Sequence, residues 1–349
     1  MNNIKKYRVL GVMSGTSLDG LDLCICIFTK KKDWKFKIEQ TTTIKYPNYL
    51  QKKLATLHLE SKKIIQRFDI KYAEFISEKI NFFLKDQQVD FIASHGHTIF
   101  HQPHNNYTLQ IGDGYTIAKN TGVTTINNFR NLDISLKGQG APLVPVGDLH
   151  LFKEYKYCIN LGGFANISIK ENKKIIAFDI CPVNIILNKI SKNLNMDFDK
   201  NGQMAKSGKI IPKLLNKLNH LPFYKKKAPK SLSREWVDKN VTPLILKKYK
   251  SQDILNTFCE HIGLKIGKLL SDKSAIFTGG GVFNLYLMSR ISFYSNSKIF
   301  IPDQRIINFK EALIFAFLGV LRKENKNNCL KSVTGAIKDN CGGEINNPY

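Results

Sequence analysis

Residues 11–23, GVMSGTSLDGLDL, concentrate hydroxyl and carboxylate side chains between two apolar runs. The apolar runs predict two strands, so the segment between them predicts a hairpin turn. Glycines in such a turn can take a positive φ and let the backbone approach a ligand. Hydroxyls suit phosphate oxygens and carboxylates suit a hydrated Mg²⁺, which favours a phosphate-binding turn over an ordinary surface hairpin. The turn comprises Gly15, Thr16, Ser17, Leu18, Asp19, Gly20, Leu21 and Asp22.

Two further glycine-rich turns follow predicted strands in the second half of the chain. The first of them, GGFAN, comes about 150 residues after the opening turn, and this repetition predicts a duplicated nucleotide-binding half. The P-loop pattern does not occur and no G-x-G-x-x-G follows the first strand, which disfavours P-loop and Rossmann proteins. The glycines of the two turns are Gly162, Gly163, Gly279, Gly280 and Gly281.

Asp179 follows a predicted strand, within FDICPVN. A carboxylate at the end of a strand can act as a general base on a water molecule. The alternative is that Asp179 caps a helix that begins near Pro182, and the spacing alone favours this cap.

The sequence offers little for a metal centre. The seven cysteines are odd in number and scattered, which argues against disulfides and against a zinc site. Three histidines lie close together in SHGHTIFHQP, at His95, His97 and His101. We interpret them as structural hydrogen-bonding groups near a binding site, and we predict no metal held by protein ligands alone.

The chain alternates predicted strands and helices, and the motifs above fall at strand ends. This alternation is typical of α/β proteins, which bind ligands at the carboxyl ends of their strands. Residues 45–90 have the apolar periodicity of helices. Strands are predicted at residues 7–12, 21–28, 89–94, 123–126, 157–161, 174–178 and 275–278.

The length of 349 residues predicts two domains, and the apolar fraction of 43% is ample for sizeable cores. No apolar run reaches the ~20 residues that a membrane helix needs. The N-terminus enters a strand without an apolar signal region, so we expect a soluble, cytoplasmic protein.

The net charge of +25 suggests a nucleic-acid partner at first sight. Only seven of the 53 basic residues are arginine, however, and the lysines are spread along the whole chain. Proteins that read phosphates and bases favour the planar fork of arginine. We therefore interpret the lysines as a solvated surface and rank nucleic-acid binding last among the functions considered.

Eight blocks of the sequence, in order, resemble those of the anhydro-N-acetylmuramic acid kinases of the actin and hexokinase superfamily. The resemblance implies an α/β, ribonuclease H-like duplicated fold of two actin-like ATPase domains with a central ATP/substrate cleft. The first domain is expected over residues 1–130 with 306–349, and the second over 131–305. The blocks are GVMSGTSLDGLD, SHGHTIFHQP, LQIGDG, NNFRNLDISLKGQGAPLVP, NLGGFANIS, APKSLSRE, TGGGVFN and NFKEALIFAFLG.

The family's activity is ATP-dependent opening of 1,6-anhydro-N-acetylmuramic acid by water, with transfer of the γ-phosphate to O6. The products are N-acetylmuramic acid 6-phosphate and ADP, which places the reaction in amino sugar metabolism and peptidoglycan recycling. The resemblance implies ATP and Mg²⁺ as cofactors, a small-molecule substrate, and neither nucleic acid nor a membrane as partner. The oligomeric state stays open, a homodimer included.

The resemblance also implies roles for three side chains. Asp179 is implied to be the general base, which reverses the preference for a helix cap. Arg130 of NFR is implied to hold an anionic part of the substrate, since its fork suits a lactyl carboxylate. Glu311 of FKEA is implied to bind sugar hydroxyls, with an exposed residue at a helix start as the alternative.

The turns are implied to hold the nucleotide. Residues 15–22 match the family's ATP-phosphate hairpin, and Thr16 is implied to touch the sugar as well. Gly162 and Gly163 are implied to face the β- and γ-phosphates. Residues 279–281 are implied to let adenosine lie against the backbone, with a plain helix-entry loop as the alternative.

The chain departs from the family pattern in several turns. The family's DTGPGN is DICPVN here, so Cys181 and Val183 replace two glycines, which is costly wherever the turn needs a positive φ. Lys137 replaces the glycine before GQGAP, His97 replaces a glutamine, and Asn128 replaces an aspartate. The site residues Asp179, Asn184, Arg130 and Glu311 are retained. We therefore predict an active kinase that the altered turn could slow, with a non-catalytic ATP-binding relative as the alternative.

Overall fold

The computed structural model describes residues 4–15, 17–171, 174–246 and 248–349. The chain divides into two compact units, which we call unit 1 (Met1–Leu151 with Phe309–Tyr349) and unit 2 (Phe152–Asn308). Unit 1 thus continues past the expected boundary at residue 130. The reason is local packing, because Gly147, beyond that boundary, lies directly against Ile314 of the same unit.

The strands form two sheets, one in each unit. Their bounds are β1 Lys5–Ser14, β2 Leu21–Lys30, β3 Trp34–Ile44, β4 Phe91–Gln102, β5 Tyr107–Ile111, β6 Thr125–Asn127, β7 Tyr157–Leu161, β8 Phe164–Glu171, β9 Lys174–Pro182, β10 Ser274–Thr278, β11 Lys298–Phe300 and β12 Glu344–Asn346. The strand predicted to end at Ser94 continues in the structure through SHGHTIFHQ to Gln102, because β5 pairs with its second half.

The two sheets have the same arrangement. In unit 1 the order is β12-β6-β4-β1-β2-β3, and β5 pairs with β4. In unit 2 the order is β11-β10-β7-β8-β9. Three antiparallel strands that follow one another in the chain form one side of each sheet: β1, β2 and β3 in unit 1, and β7, β8 and β9 in unit 2. Parallel strands lie on the other side of β1 and of β7: β4 and β6 in unit 1, and β10 and β11 in unit 2. This repetition confirms the predicted α/β class and the duplicated, ribonuclease H-like fold.

Helices cover the sheets and supply the rest of the two cores. Their bounds are α1 Asn48–Thr56, α2 Lys62–Leu84, α3 Gly114–Thr121, α4 Asn131–Ser135, α5 Val144–Leu151, α6 Asn184–Lys192, α7 Gln203–Ser207, α8 Pro212–Asn219, α9 Arg234–Asn240, α10 Ser251–Gly267, α11 Leu285–Tyr294, α12 Gln304–Lys323 and α13 Lys331–Thr334. The helical prediction for residues 45–90 is thus met by α1 and α2. Among the described residues, no helix is both long and apolar enough to cross a membrane.

One glycine sets the contact between α12 and the central strand of unit 1. Gly11 lies in β1, and a Cβ atom there would collide with the carbonyl group of Ala312. A larger residue would push the helix away from the sheet, since buried backbone and side-chain atoms are already in contact. This close approach fixes Glu311, the residue before Ala312, against the strand that leads into the first turn.

Candidate active site

The opening turn is a hairpin, as predicted, with Ser14 of β1 opposite Leu21 of β2. Leu18 N–H donates to the Gly15 carbonyl at 3.2 Å and closes the turn. The positive φ falls on Leu18, at 62°, rather than on a glycine. Gly20 is required for a different reason, because a Cβ there would lie 2.6 Å from the Ile44 carbonyl oxygen of β3. Thr16, which was implied to touch the sugar, lies outside the described residues.

A buried hydrogen-bond chain supports the start of this hairpin. Ser14 Oγ lies 2.8 Å from His97 Nδ1. Tyr46 donates its hydroxyl to Ser14 Oγ at 2.7 Å, and its oxygen lies 2.7 Å from the hydroxyl of Tyr72. Burial lowers the pKa of His97 to about 4, so its imidazole is neutral near pH 7. The chain therefore holds the end of β1 with neutral groups.

The second half of the hairpin presents two carboxylates. Asp22 Oδ1 accepts a hydrogen bond from Thr43 Oγ1 at 2.5 Å. Burial raises the pKa of Asp22, and the negative charge of Asp19 adds to the increase. Asp19 itself is exposed. An additional cation near this pair would be favourable, because it would offset both the lost hydration and the repulsion between like charges.

Arg130 is held in place by its neighbours in unit 1. Its Nη2 lies 2.8 Å from His95 Nε2, and its Nη1 donates to the Gly140 carbonyl at 3.1 Å. His95 Nδ1 lies 2.9 Å from the Gly96 carbonyl, so this nitrogen carries the proton and Nε2 accepts from Arg130. Burial lowers the pKa of Arg130 to about 10, which leaves the guanidinium charged near pH 7.

Glu311 is near enough to Arg130 and Asp22 for their charges to act on it. Its side chain is accessible to solvent. The surrounding protein nevertheless raises its pKa by displacing part of its hydration, while the charge of Arg130 opposes the increase. Unit 1 thus brings together three side chains that the sequence singled out far apart, and the exposed carboxylate of Glu311 is available to a ligand.

Asp179 lies near the end of β9 and does not cap a helix. Helix α6 begins at Asn184, its N-cap position is Val183, and no side chain caps it. The carboxylate of Asp179 instead accepts a hydrogen bond from Leu232 N–H at 2.8 Å. Burial raises its pKa, and the Leu232 hydrogen bond opposes this increase. The helix-cap interpretation is therefore wrong.

A β-bulge changes the direction of the side chains in this part of β9. Asn166 of β8 pairs with Asp179 and the preceding Ala165 pairs with Cys181, so Ile180 is the extra residue. Bulges redirect side chains and recur next to functional sites. Ile180, Cys181 and Val183 are buried in the core of unit 2.

The two glycine turns of unit 2 meet around the end of β7. Val183 N–H and Ile185 N–H both donate to the Gly163 carbonyl, at 2.8 and 3.2 Å, so the first turn lies against the start of α6. A Cβ on Gly279, whose φ is +83°, would lie 2.6 Å from Asn160 Oδ1. A Cβ on Gly281 would lie 2.7 Å from the Cβ of Leu161.

The middle glycine of the second turn behaves differently from its neighbours. Beyond the surrounding backbone of the same turn, no described atom lies within 4 Å of a Cβ built on Gly280. One on Gly163 would make only an ordinary contact with Ile185 at 3.9 Å, whereas one on Gly162 would lie 3.3 Å from Asn160 Nδ2. Asn184 links the turns, because its Nδ2 donates to the Leu161 carbonyl at 3.2 Å and lies 3.6 Å from a Cβ built on Gly281. Unit 2 thus exposes backbone from two turns beside the N-terminus of α6, whose first N–H groups are bonded to the carbonyls of Gly162 and Gly163.

The replaced glycines of the family pattern have two outcomes. Cys181 and Val183 adopt no positive φ and lie in the core, so the cost of a positive φ that was expected at these positions does not arise. Lys137, in contrast, has a φ of 65° where the family has glycine. Asn128 also has a positive φ, of 54°, which asparagine tolerates better than lysine does.

The sequence did not identify the groups that support these side chains. Tyr46 and Tyr72 belong to no motif, and Leu232 lies in the APKSLSRE block without a role implied for it; all three reach the site only through tertiary packing. Ser14 was part of the hairpin block, and its polar character at a strand end was the available signal.

A family model described as anhydro-N-acetylmuramic acid kinase matches residues 7–348. An anhydro-N-acetylmuramic acid kinase of Francisella tularensis subsp. novicida is 35% identical over 378 residues, covering 98% of each chain. One from Bacillus cereus strain Q1 is 32% identical over 380 residues, covering 97% of this chain and 99% of the relative. These matches confirm the resemblance drawn from the sequence blocks.

The solved structures that resemble this chain are more distant in sequence. An activator of the 2-hydroxyisocaproyl-CoA dehydratase from Clostridium difficile with bound ADPNP has a TM-score of 0.44 at 13% identity, covering 92% of this chain and 98% of that chain. A ROK family glucokinase from Streptomyces griseus in complex with glucose and AMPPNP has a TM-score of 0.41 at 11% identity, covering 89% and 98%.

Proposed function

This chain belongs to the anhydro-N-acetylmuramic acid kinase family, and we propose that it opens 1,6-anhydro-N-acetylmuramic acid with water and phosphorylates the released O6 at the expense of ATP. The oxygen of water bonds to the anomeric carbon as the bond from that carbon to O6 breaks. O6 bonds to the γ-phosphorus of ATP as the bond from that phosphorus to ADP breaks. The products are N-acetylmuramic acid 6-phosphate and ADP.

Asp179 is the proposed general base, and its position carries the proposal. It is a partly buried carboxylate at the end of a strand, it is oriented by one backbone N–H, and it is not used as a helix cap. Burial raises its pKa, which makes it a stronger base than an ordinary aspartate. Asp179 takes the proton of the attacking water at the oxygen that Leu232 does not hold.

Arg130 and Glu311 are the proposed sugar contacts. His95 and Gly140 fix the guanidinium of Arg130 before any ligand arrives, so little conformational entropy is lost when it binds a lactyl carboxylate. Glu311 offers an accessible carboxylate that accepts hydrogen bonds from sugar hydroxyls. Its raised pKa reflects incomplete hydration, which such donors would replace.

The turns are the proposed nucleotide contacts. Residues 15–22, Gly162 and Gly163 present backbone to the phosphates, and residues 279–281 present backbone to adenosine. Gly280 leaves room for a ligand to approach, whereas Gly279 and Gly281 are needed for packing against β7. Peptide N–H groups of such turns suit phosphoryl oxygens during phosphoryl transfer.

The residues of the opening hairpin fit a Mg²⁺ ion that arrives with the nucleotide. Among the described residues, no group of three or more His, Cys, Asp or Glu side chains could hold a metal ion. Mg²⁺ commonly needs only one or two carboxylates together with phosphate oxygens and water. Asp19 and Asp22, whose mutual repulsion a cation would relieve, are the proposed ligands. When bound, the ion neutralises charge on the phosphate oxygens.

The alternative of a non-catalytic ATP-binding relative rested on the altered DICPVN turn. Cys181 and Val183 pack into the core without a positive φ, and Asp179 keeps its orienting hydrogen bond. The altered turn therefore no longer favours that alternative. Because ATP and the anhydro-sugar are cytoplasmic metabolites in this proposal, we place the protein in the cytoplasm, in peptidoglycan recycling.

Mass spectrometry of the product tests the proposal directly. The protein is incubated with ATP, Mg²⁺ and 1,6-anhydro-N-acetylmuramic acid in water enriched in ¹⁸O. We expect N-acetylmuramic acid 6-phosphate with one ¹⁸O atom, located on the anomeric carbon. A phosphorylated product that still contains the anhydro bond, or ¹⁸O in the phosphate ester, would contradict hydrolytic opening.

A further inference from the structure

A cavity of about 380 Å³ lies within unit 2, lined by β9, the end of α8 and the C-terminal part of α10. Phe178 and Ile180, which flank Asp179 on β9, form part of its wall together with Tyr224. The volume is in the range of sites that bind small molecules. None of the functions proposed above uses this cavity.

Three lysines line the same cavity. Lys230 and Lys265 are half-buried and Lys268 is exposed, and none of the described residues that line the cavity is acidic. Lys265 feels the positive charges of Lys268 and Lys230, and burial lowers its pKa. The three ammonium groups are therefore an excess of positive charge among the described residues that line the cavity.

Neutral groups hold two of these lysines in position. Lys265 Nζ donates to the Asn219 carbonyl at 3.0 Å and lies 4.3 Å from the ring centre of Tyr224. Lys230 Nζ lies 4.7 Å from the ring centre of Phe223. Carbonyl groups and aromatic faces orient an ammonium without cancelling its charge. The arrangement is thus prepared for an anionic partner, in contrast to lysines that extend freely into water.

We propose that this cavity binds a small organic anion, whose phosphate or carboxylate group contacts Lys230, Lys265 and Lys268 while its apolar body lies on Phe178 and Ile180. The lysines supply charge-assisted hydrogen bonds, and the apolar wall supplies area that an inorganic ion would not use.

The cavity is connected to Asp179 through the backbone of residues 230–232. Asp179 N–H donates to the Lys230 carbonyl at 3.0 Å, and Leu232 N–H donates to the carboxylate of Asp179 at 2.8 Å. An anion that restrains Lys230 therefore also restrains the segment that orients the proposed base. This second part of the proposal, that occupancy alters turnover, rests on the proposed function of Asp179.

Calorimetric titration with matched probes tests the site, with saturating Mg²⁺–ADP present to fill nucleotide subsites. Phenyl phosphate carries both charge and a ring, benzoate replaces the phosphate by a carboxylate, phenol lacks the charge, and inorganic phosphate lacks the ring. We expect phenyl phosphate to bind at least tenfold more tightly than phenol or inorganic phosphate, and benzoate to report whether a carboxylate suffices. Equal affinity for phenol, or for inorganic phosphate, would overturn the proposed ligand class.

Lysine variants locate the binding. Lys230→Met with Lys265→Met should weaken phenyl phosphate binding at least tenfold, and the exposed Lys268→Met alone should weaken it severalfold with little risk to folding. Lys239→Met, on the exposed surface of α9, is the matched control and should bind as the wild type does. Unchanged affinity in Lys268→Met and in the double variant would refute the site.

Initial kinase rates test the connection to Asp179. Saturating phenyl phosphate should change kcat at least twofold in the wild type, and the same change in Lys268→Met should require a severalfold higher concentration of phenyl phosphate. Binding without any change in kcat would refute the connection. Intact binding in a protein that never phosphorylates the anhydro-sugar would count against the proposed function alone, so the two failures are distinguishable.

Discussion

The carboxylate of Asp179 can be removed with almost no change in shape by the substitution Asp179→Asn. The asparagine side-chain oxygen can still accept the hydrogen bond from Leu232 N–H, which orients Asp179 at 2.8 Å. The substitution therefore removes the basic site while leaving the local structure in place. General-base catalysis contributes about 10²- to 10⁴-fold in rate, so we expect kcat to fall by that factor.

The substitution Asp179→Asn affects the stability of the protein through two opposing contributions. Burial raises the pKa of Asp179 in the folded protein, so the folded state binds its proton more tightly than the unfolded state does. Above the ordinary pKa of aspartate this ionised group therefore opposes folding, and asparagine relieves that penalty. A weaker hydrogen bond to Leu232 costs about 1 kcal/mol and offsets the relief. We expect the melting temperature to stay nearly constant.

Four measurements on Asp179→Asn decide the matter: kcat, the Kd of ATP, the Kd of the sugar and the melting temperature. Asp238→Asn is the matched control, since Asp238 is an exposed aspartate of the same unit that pairs with Lys189 at 3.3 Å. We expect the control to keep wild-type kcat. If Asp179→Asn retains more than about a tenth of wild-type kcat, above the range left by loss of a base, Asp179 is not the general base.

Three further predictions test the packing around the site. Lys137→Gly should raise the free energy of unfolding by about 1 kcal/mol, because glycine adopts a left-handed backbone without strain. Lys239→Gly, within α9, is the control and should lower the free energy of unfolding by about 1 kcal/mol. Urea unfolding measures both variants, and a lower free energy of unfolding in Lys137→Gly would contradict the strain at Lys137. Gly279→Ala should lower the melting temperature and weaken ATP binding, whereas Gly280→Ala should leave the melting temperature constant. Equal melting temperatures of the two variants would refute the packing role of Gly279. Burial lowers the pKa of His97 to about 4, so the free energy of unfolding should fall by about 3 kcal/mol as the pH drops from 6.5 toward 4. His97→Gln should make the free energy of unfolding less dependent on pH in this range. An unchanged pH dependence in His97→Gln would show that another group causes it.

Turns and strands that depend on a local sequence pattern could be predicted from the sequence. The opening hairpin and the two later glycine turns are local features, and each occurs in the structure where it was predicted. The strand predicted to end before Asp179 begins as predicted but continues through Asp179 to Pro182, because its last residues pair with β8. The duplication could be predicted because each half repeats a strand, a glycine turn and a return strand. The continuation of β4 to Gln102 could not, because it depends on pairing with β5 across the sheet.

Supporting contacts were beyond prediction because they join segments that are distant in sequence. Tyr46 and Tyr72 reach Ser14 only after α1 and α2 have packed on the sheet. Leu232 reaches Asp179 through a backbone N–H, a group that every residue except proline carries and that therefore leaves no signal in the sequence.

Departures from a family pattern have physical consequences that depend on backbone conformation rather than on residue type. Cys181 and Val183 stand where the family has glycine, yet both are fully buried with an ordinary φ, so the side chains add apolar contact to the core. Lys137 also stands at a family glycine, but at a φ of 65°, where a Cβ is strained and the lysine side chain remains exposed. Cys181→Gly should therefore destabilise the protein, because it removes core packing and increases the freedom of the unfolded chain, whereas Lys137→Gly should stabilise it. The same substitution toward the family residue thus has opposite signs at two positions, and only the structure distinguishes them.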